Sequence, residues 1–360
     1  MTVTRLGQLT AELQTLADVQ PYGGGSGLPT ISSTRARTGT YSYRTTAAAA
    51  PFGLTLPVQS AVRLGFWLNH AGVSGNAAVA VAAIAVGESV VYVGWNGATN
   101  LLDLRLGYVQ NSSEYNVVAE APGGVISTPN TWMHVGVTYK CDEAAGFLSL
   151  YLDGALVLTF GGDTTVWKRS STLPTPKQSG INGVYVAGTL SSAWAAYAYV
   201  DDLYVDGYAG EEDAAPSSKR FLFGRVNAAG GLAEQWTPVG DTAAWKCLDE
   251  TPPDNDTTYA KALLTGKRDV YGCADITVPV DHQVRAVIPV AMTRKTDAGI
   301  DSKLKLGLYD GAQTRLGEAQ VLPTAYGVRW DRFTAQVDGS IWTEAAVNSQ
   351  QEALESAGSF

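Results

Sequence analysis

Histidine and cysteine are scarce, three of each in 360 residues, which leaves little material for a metal centre or a nucleophilic triad. Only His70, His134 and His282 are on hand as a general base, and none lies near a G-x-S-x-G turn. There is no H-E-x-x-H, no C-x-x-C and no phosphate-cradling glycine loop. Also missing is the E-x-D-x-x-E run that places two carboxylates on one face of a strand for glycoside cleavage. His134 reads as a packed or edge residue. The expectation is a protein that is not an enzyme, with a glycoside hydrolase or lyase that works without this carboxylate pair as the less favoured alternative.

Charge is low as well. Only 16% of residues are charged and 45% are hydrophobic, the balance of a folded protein. A net charge of −9 and a pI near 4.9 argue against attraction to phosphate backbones, so nucleic acid is not an expected partner. The basic pair Lys219 and Arg220 reads as a solvated linker. No apolar run reaches the eighteen or so residues that a membrane span requires, and the Ala-Val run at 77–86 suits a buried strand. No basic and apolar leader opens the chain, so neither a membrane nor secretion is expected. Cys141, Cys247 and Cys273 are odd in number and lack metal-ligand spacing. Three reduced thiols, as in a bacterial cytosol, are the expectation, and a Cys247–Cys273 bridge is the alternative.

What is abundant points to strands and turns: 39 glycines, 17 tyrosines and 9 tryptophans. Val135, Val137 and Tyr139 alternate with His134, Gly136 and Thr138, the period of a strand with two unlike faces. After a polar break at 142–146, Phe147, Leu148, Leu150, Tyr151 and Leu152 form a second apolar strand. It ends in Asp153-Gly154, a dipeptide suited to a tight hairpin turn. Further strands are predicted near 31–35, 40–45, 62–70, 77–86, 89–95, 101–110 and 183–205, with a long surface loop over 164–180. Residues 208–219 are acidic, small and contain a proline, and read as a linker. Beyond them, strands are predicted near 220–226, 269–278, 283–293, 303–309, 314–321 and 329–336, with an acidic loop at 249–257. Leu6, Leu9, Leu13 and Leu16 would share one face of a short helix, and the segment is either an arm that docks on a neighbouring subunit or a first strand or helix that packs on its own sandwich. The expected organisation is an arm (1–29), a sandwich (30–207), the linker, a smaller β-module (220–349) and a tail or frayed helix (350–360).

The Trp132-to-Gly154 hairpin unit, with Trp and His opening one strand and Tyr-Leu-Asp-Gly closing the next, resembles the central signature of concanavalin-A-like, laminin-G-like jelly rolls. ARTGTYSYRTT at 36–46 resembles the opening strand pair of such domains, and AYAYVDDLYVDG at 196–207 their closing strand. FLFGRVN at 221–227, the stretch 235–260 and SIWTEAAVNSQQEAL near the end are similar to the tail half of structural proteins of tailed bacteriophages. The resemblance implies an all-β, antiparallel jelly-roll sandwich followed by a second, smaller β-module. It also implies a virion location, with other virion proteins and further copies of the chain as partners, and assembly through loops and terminal arms.

Carbohydrate binding is the activity that this fold suggests, since sugar rings stack on aromatic faces. Trp95 with Asn96 and Asn100, and Trp167 with Lys168 and Arg169, lie at loop-like positions and are the candidates for contact with a host-surface glycan. Packing of these tryptophans in the core is the alternative. No cofactor is expected. The one metal alternative is calcium at loop carboxylates, Asp254 and Asp256 with Asn255 between them. Asp201 and Asp202 are adjacent on a strand, so they face opposite ways and share no ion unless the strand bulges.

Overall fold

The computed structural model describes residues 4–9, 20–21, 28–37, 40–46, 51–72, 78–96, 101–108, 115–121, 129–167, 177–189, 197–207, 222–249, 256–280, 282–298 and 300–359. The chain divides into two compact units, the first reaching to Phe221 and the second running from Leu222. The expected linker at 208–219 lies outside the described residues, as does most of the expected arm.

The first unit contains β1 (Thr4–Leu9), β2 (Gln20–Pro21), β3 (Thr30–Ser32), β4 (Ser42–Thr46), β5 (Phe52–Gln59), β6 (Ala61–His70) and β7 (Ala78–Val86). There follow β8 (Ser89–Asn96), β9 (Leu101–Tyr108), β10 (Tyr115–Ala121), β11 (Met133–Lys140), β12 (Gly146–Leu152) and β13 (Ala155–Gly162). β14 (Val166–Trp167), β15 (Lys177–Gln178), β16 (Ile181–Thr189) and β17 (Tyr197–Gly207) complete the series. One sheet runs in the order β13-β12-β11-β6-β17-β4-β3, with β1 also on β17. The other runs β15-β14-β9-β8-β7-β16-β5-β2, with β10 on β9. All pairings are antiparallel, and the two sheets form the expected jelly-roll sandwich.

The alternation read from the sequence builds the core. In β6, Val62, Leu64, Phe66 and Leu68 face inward and meet Tyr139, Val137, Val135 and Met133 of β11 in register. Val91 and Val93 of β8, Leu104 and Leu106 of β9 and Val184 and Val186 of β16 face them from the second sheet. β7 is buried on both faces, which explains its Ala-Val composition. The β12–β13 hairpin turns at Asp153 (φ 49°) and Gly154 (φ 84°), as the dipeptide predicts.

Of the alternatives for the first residues, Leu6 and Leu9 take the strand and not the helix: they belong to β1, paired with β17 from Thr4↔Gly207 to Leu9↔Leu203. The physical reason is an open edge. β4 covers only Tyr197–Val200 of β17, and β1 supplies the missing backbone partners further along. Strands β5 and β10 are additions to the predicted set, since Gly53 and Pro57 make β5 a poor strand on paper.

The second unit contains β18 (Val226–Ala229), β19 (Thr237–Val239), β20 (Tyr259–Lys261), β21 (Arg268–Cys273), β22 (Val290–Thr293) and β23 (Ser302–Tyr309). β24 (Thr314–Leu316), β25 (Gln320–Val321), β26 (Gly327–Trp330), the short helix α1 (Glu344–Asn348) and β27 (Gln351–Gly358) follow. Its main sheet is ordered β18-β21-β27-β23-β24, with β25 also on β23, while β19–β20 and β22–β26 pair separately. Tyr271, Leu304, Leu306 and Leu354 pack on one face with Ala244, and Val270, Tyr309 and Ala353 on the other. The tail expected at 350–360 is instead an inner strand, flanked on both sides by β21 and β23. Its pattern is masked because Glu355 points inward, where Arg268 and Lys305 receive it. Cys141, Cys247 and Cys273 are free thiols, so the alternative bridge does not form.

Candidate functional site

Trp95 is not on a loop. It lies in β8 with 7% of its surface exposed, inward like Val91 and Val93, its ring edge-on to His70 at 5.0 Å. Asn96 ends that strand, and Asn100 lies outside the described residues. Trp167 is half-buried in β14, with the Lys177 ammonium 5.6 Å from its ring centroid. Lys177 is itself bound to Glu143 at 3.1 Å and to Asp163. Lys168 and Arg169 lie outside the described residues.

Asp254 is likewise outside them, and Asp256 is already engaged. The Asp256 carboxylate accepts the Tyr326 hydroxyl at 2.8 Å and the Arg294 guanidinium at 2.5 Å. These two donors, the tyrosine first, hold its carboxyl below the usual range. The bulge that would let Asp201 and Asp202 act together does exist: Asp202 has φ 50° and the register slips between Asp201 and Tyr204. Yet the Asp201 oxygens accept backbone N–H groups, Oδ2 from Arg37 and Oδ1 from Asp202, each at 2.9 Å. Among the described residues no group of three or more His, Cys, Asp or Glu could share an ion.

On its outer face the second sheet carries a row formed by Gly53, Tyr185, Ala83, Tyr92 and Arg105 on five successive strands. Tyr185 lies over Gly183, whose missing Cβ leaves room for the ring. Arg105 grips Asp103 with Nε at 2.8 Å from Oδ1. Tyr92 and Tyr185 are buried, and burial pushes the Tyr185 hydroxyl above its ordinary pKa. This face is a packed layer.

An accessible constellation sits instead at the rim of the first sheet. Tyr197 and Tyr199 project from the same side of β17, their rings edge-on at 4.9 Å. Tyr199 lies in one row with Arg44 of β4 and Asn69 of β6. The segment after β3 crosses this face. There the Arg37 N–H bonds Asp201, and the Arg37 guanidinium stands 4.3 Å above Trp67. Trp67 in turn contacts the buried ring of His134 at 5.4 Å, so His134 is a packing residue here. This anchorage presents Arg35, whose guanidinium is 5.8 Å from the Tyr197 centroid and 6.0 Å from that of Tyr199. Arg44 lies 5.3 and 6.0 Å from the same two rings. Arg35 also donates to Asn69 Oδ1 at 3.3 Å and to the Asn130 carbonyl at 3.4 Å. Tyr197 donates its hydroxyl to Asn130 Oδ1 at 3.4 Å. Tyr199 and Asn69 are buried, Tyr197 and Arg35 are half-buried, and Arg44 and Asn130 are exposed.

The result is a rim surface of aromatic ring, amide and fixed cationic donors, and it contains no tryptophan in a loop. A signal for it is present in the sequence: three arginines, Arg35, Arg37 and Arg44, crowd into ten residues of an acidic chain, and Tyr-x-Tyr at 197–199 puts two rings on one face.

No family model matches the sequence, and no curated protein matches it. Among solved structures, alginate lyase Aly36B is similar at 12% identity and a TM-score of 0.40, over 56% of this chain and 96% of that one. An endo-beta-1,4-glucuronan lyase from the fungus Trichoderma reesei is similar at 14% identity and a TM-score of 0.38, over 57% and 96%. The binding domain of botulinum neurotoxin DC, in complex with SialylT, is similar at 12% identity and a TM-score of 0.37, over 90% and 81%. The expectation that the chain is not an enzyme is overturned here: polysaccharide lyases stand among these structures, so a missing glycosidase carboxylate pair does not exclude an enzyme. At these scores the likeness transfers no activity to this chain.

Proposed function

We propose that the first unit binds glycan at the rim cluster of Arg35, Arg44, Tyr197 and Asn130, with the buried Asn69 holding Arg35 in place. The observation that carries this reading is a half-buried tyrosine ring, Tyr197, ringed by planar amide and guanidinium groups that the fold already holds in place. Sugar C–H groups pack on such a ring, and hydroxyls exchange hydrogen bonds with amides. Pre-positioned donors lose little entropy on binding, which favours affinity at a shallow site.

The setting proposed for this site is the surface of a tailed-phage particle, as the sequence resemblance implies. Many copies there would convert weak single contacts into firm adsorption to a host. Assembly through free terminal arms is not part of this reading, because β1 and β27 are spent in the chain's own sheets.

A glycan array probed with the full chain and with Tyr197→Ala tests the proposal. The expected outcome is selective binding by the parent chain, weakened about tenfold in the variant, the loss of one stacking and hydrogen-bonding residue. Binding that is undiminished in Tyr197→Ala would refute this location for the site.

A further inference from the structure

We infer that the rim cluster is built for an oxyanion, so that its ligand is an acidic polysaccharide bearing carboxylate or sulfate groups. The inference rests on the glycan-binding reading above and adds the charge of the ligand to it.

Acids outnumber bases by 34 to 25 in the whole chain, and several cations elsewhere are met by carboxylates, while others such as Arg315 and Arg329 are met by backbone carbonyls. Arg105 pairs with Asp103, Arg268 and Lys305 with Glu355, Arg294 with Asp256 and Lys177 with Asp163. Arg35 and Arg44 are not among the carboxylate-paired cations. Among the described residues, neither guanidinium has a carboxylate within ion-pairing distance. Asp201 shares their face, but both of its oxygens are taken by backbone N–H groups and it is fully buried.

Two like charges are thus brought over one pair of tyrosine rings, each within 6.0 Å of both centroids. The rings attract each cation through their π faces without cancelling its charge. Positive charge gathered around the same two rings attracts an anion. A guanidinium fork matches the planar carboxylate and the sulfate ester alike, so the shared ligand chemistry is the oxyanion. Asn69 and Asn130 fix Arg35 from below, which orients its remaining N–H groups before any ligand arrives.

The test measures binding of fluorescently labelled polygalacturonate, dextran sulfate and neutral dextran to the full chain. The carboxylate and sulfate polymers separate the two sources of oxyanion, and dextran reports the uncharged contribution. The expected result is saturable binding of one or both acidic polymers at least about tenfold tighter than dextran, weakening as salt is raised. Arg35→Gln with Arg44→Gln should erase that preference, and Arg44→Lys should retain part of it. Thermal unfolding of each variant checks that it is folded. Should the double variant fail to fold, the single Arg44→Gln and Arg44→Lys variants decide between charge and mere bulk at that position. Equal binding of dextran and the acidic polymers, or a preference that survives in the glutamine variants, overturns the inference while leaving glycan binding intact. Failure of all three polymers, together with an empty glycan array, overturns both.

Discussion

Glu352 and Glu355 stand three positions apart on β27 and answer to opposite environments. Glu352 faces the apolar side, opposite Tyr271 and Leu308, and its Oε1 is shielded from solvent without a hydrogen-bond partner. Burial pushes its carboxyl up to about 7, while the Val290 N–H pulls weakly the other way. Burial also opposes the charge of Glu355, but Arg268 and Lys305 outweigh it and hold that carboxyl below the usual range. The sign for Glu352 follows from linkage. Between its ordinary value of 4.5 and about 7 the folded chain holds a proton that the unfolded chain has released. Its contribution is therefore complete below the ordinary value and lost as pH rises through about 7. The second unit should lose roughly 3 kcal/mol of stability over this window, and Glu352→Gln should flatten the slope. Denaturant titrations at acid and at mildly alkaline pH measure it; a slope that persists in Glu352→Gln would place the titrating group elsewhere. Nothing in the string QEALES distinguishes the two glutamates, because the difference lies wholly in which neighbours the sheet brings to each face.

Among the elements, hairpins are the most legible and paired termini the least. The β11–β12–β13 meander can be read because alternation and an Asp-Gly turn are local signals. Asp153 even returns to pin the start of β11, its Oδ1 accepting the His134 N–H at 2.9 Å. β1 and β27 escape such a reading because their partners lie far away in the chain, and neither has a plain apolar alternation of its own. β27 is the more consequential case. A chain ending at Ser349 would leave β21 and β23 without their shared partner and remove Ala353 and Leu354 from the two cores of the second unit. Such a truncation should abolish cooperative unfolding of that unit and open residues 222–349 to rapid proteolysis, with the first unit still resistant. A true tail would leave the digestion pattern unchanged, and that result would contradict the central place of β27.

For the molecule as a whole, composition foretells the class of fold and misdirects the search for a site. Tryptophan is the strongest stacking residue, yet burial favours large apolar rings in the core, and Trp95 lies there. The accessible cluster is made of tyrosine and arginine, which carry polar ends and tolerate a rim position. The same separation of roles extends to stability, since each unit has its own core. Two calorimetric transitions are expected, and each has its own handle. At Gly53 an added Cβ would sit 1.9 Å from the Val184 carbonyl oxygen, a backbone atom that cannot step aside. Gly53→Ala should cost roughly 1–3 kcal/mol and lower one transition by about 2–10 °C. Raising the pH should lower the other transition, through Glu352, and leave the first in place. If Gly53→Ala and the pH shift displace one common transition, the two units melt as a single body and the assignment of separate cores to separate stabilities is wrong.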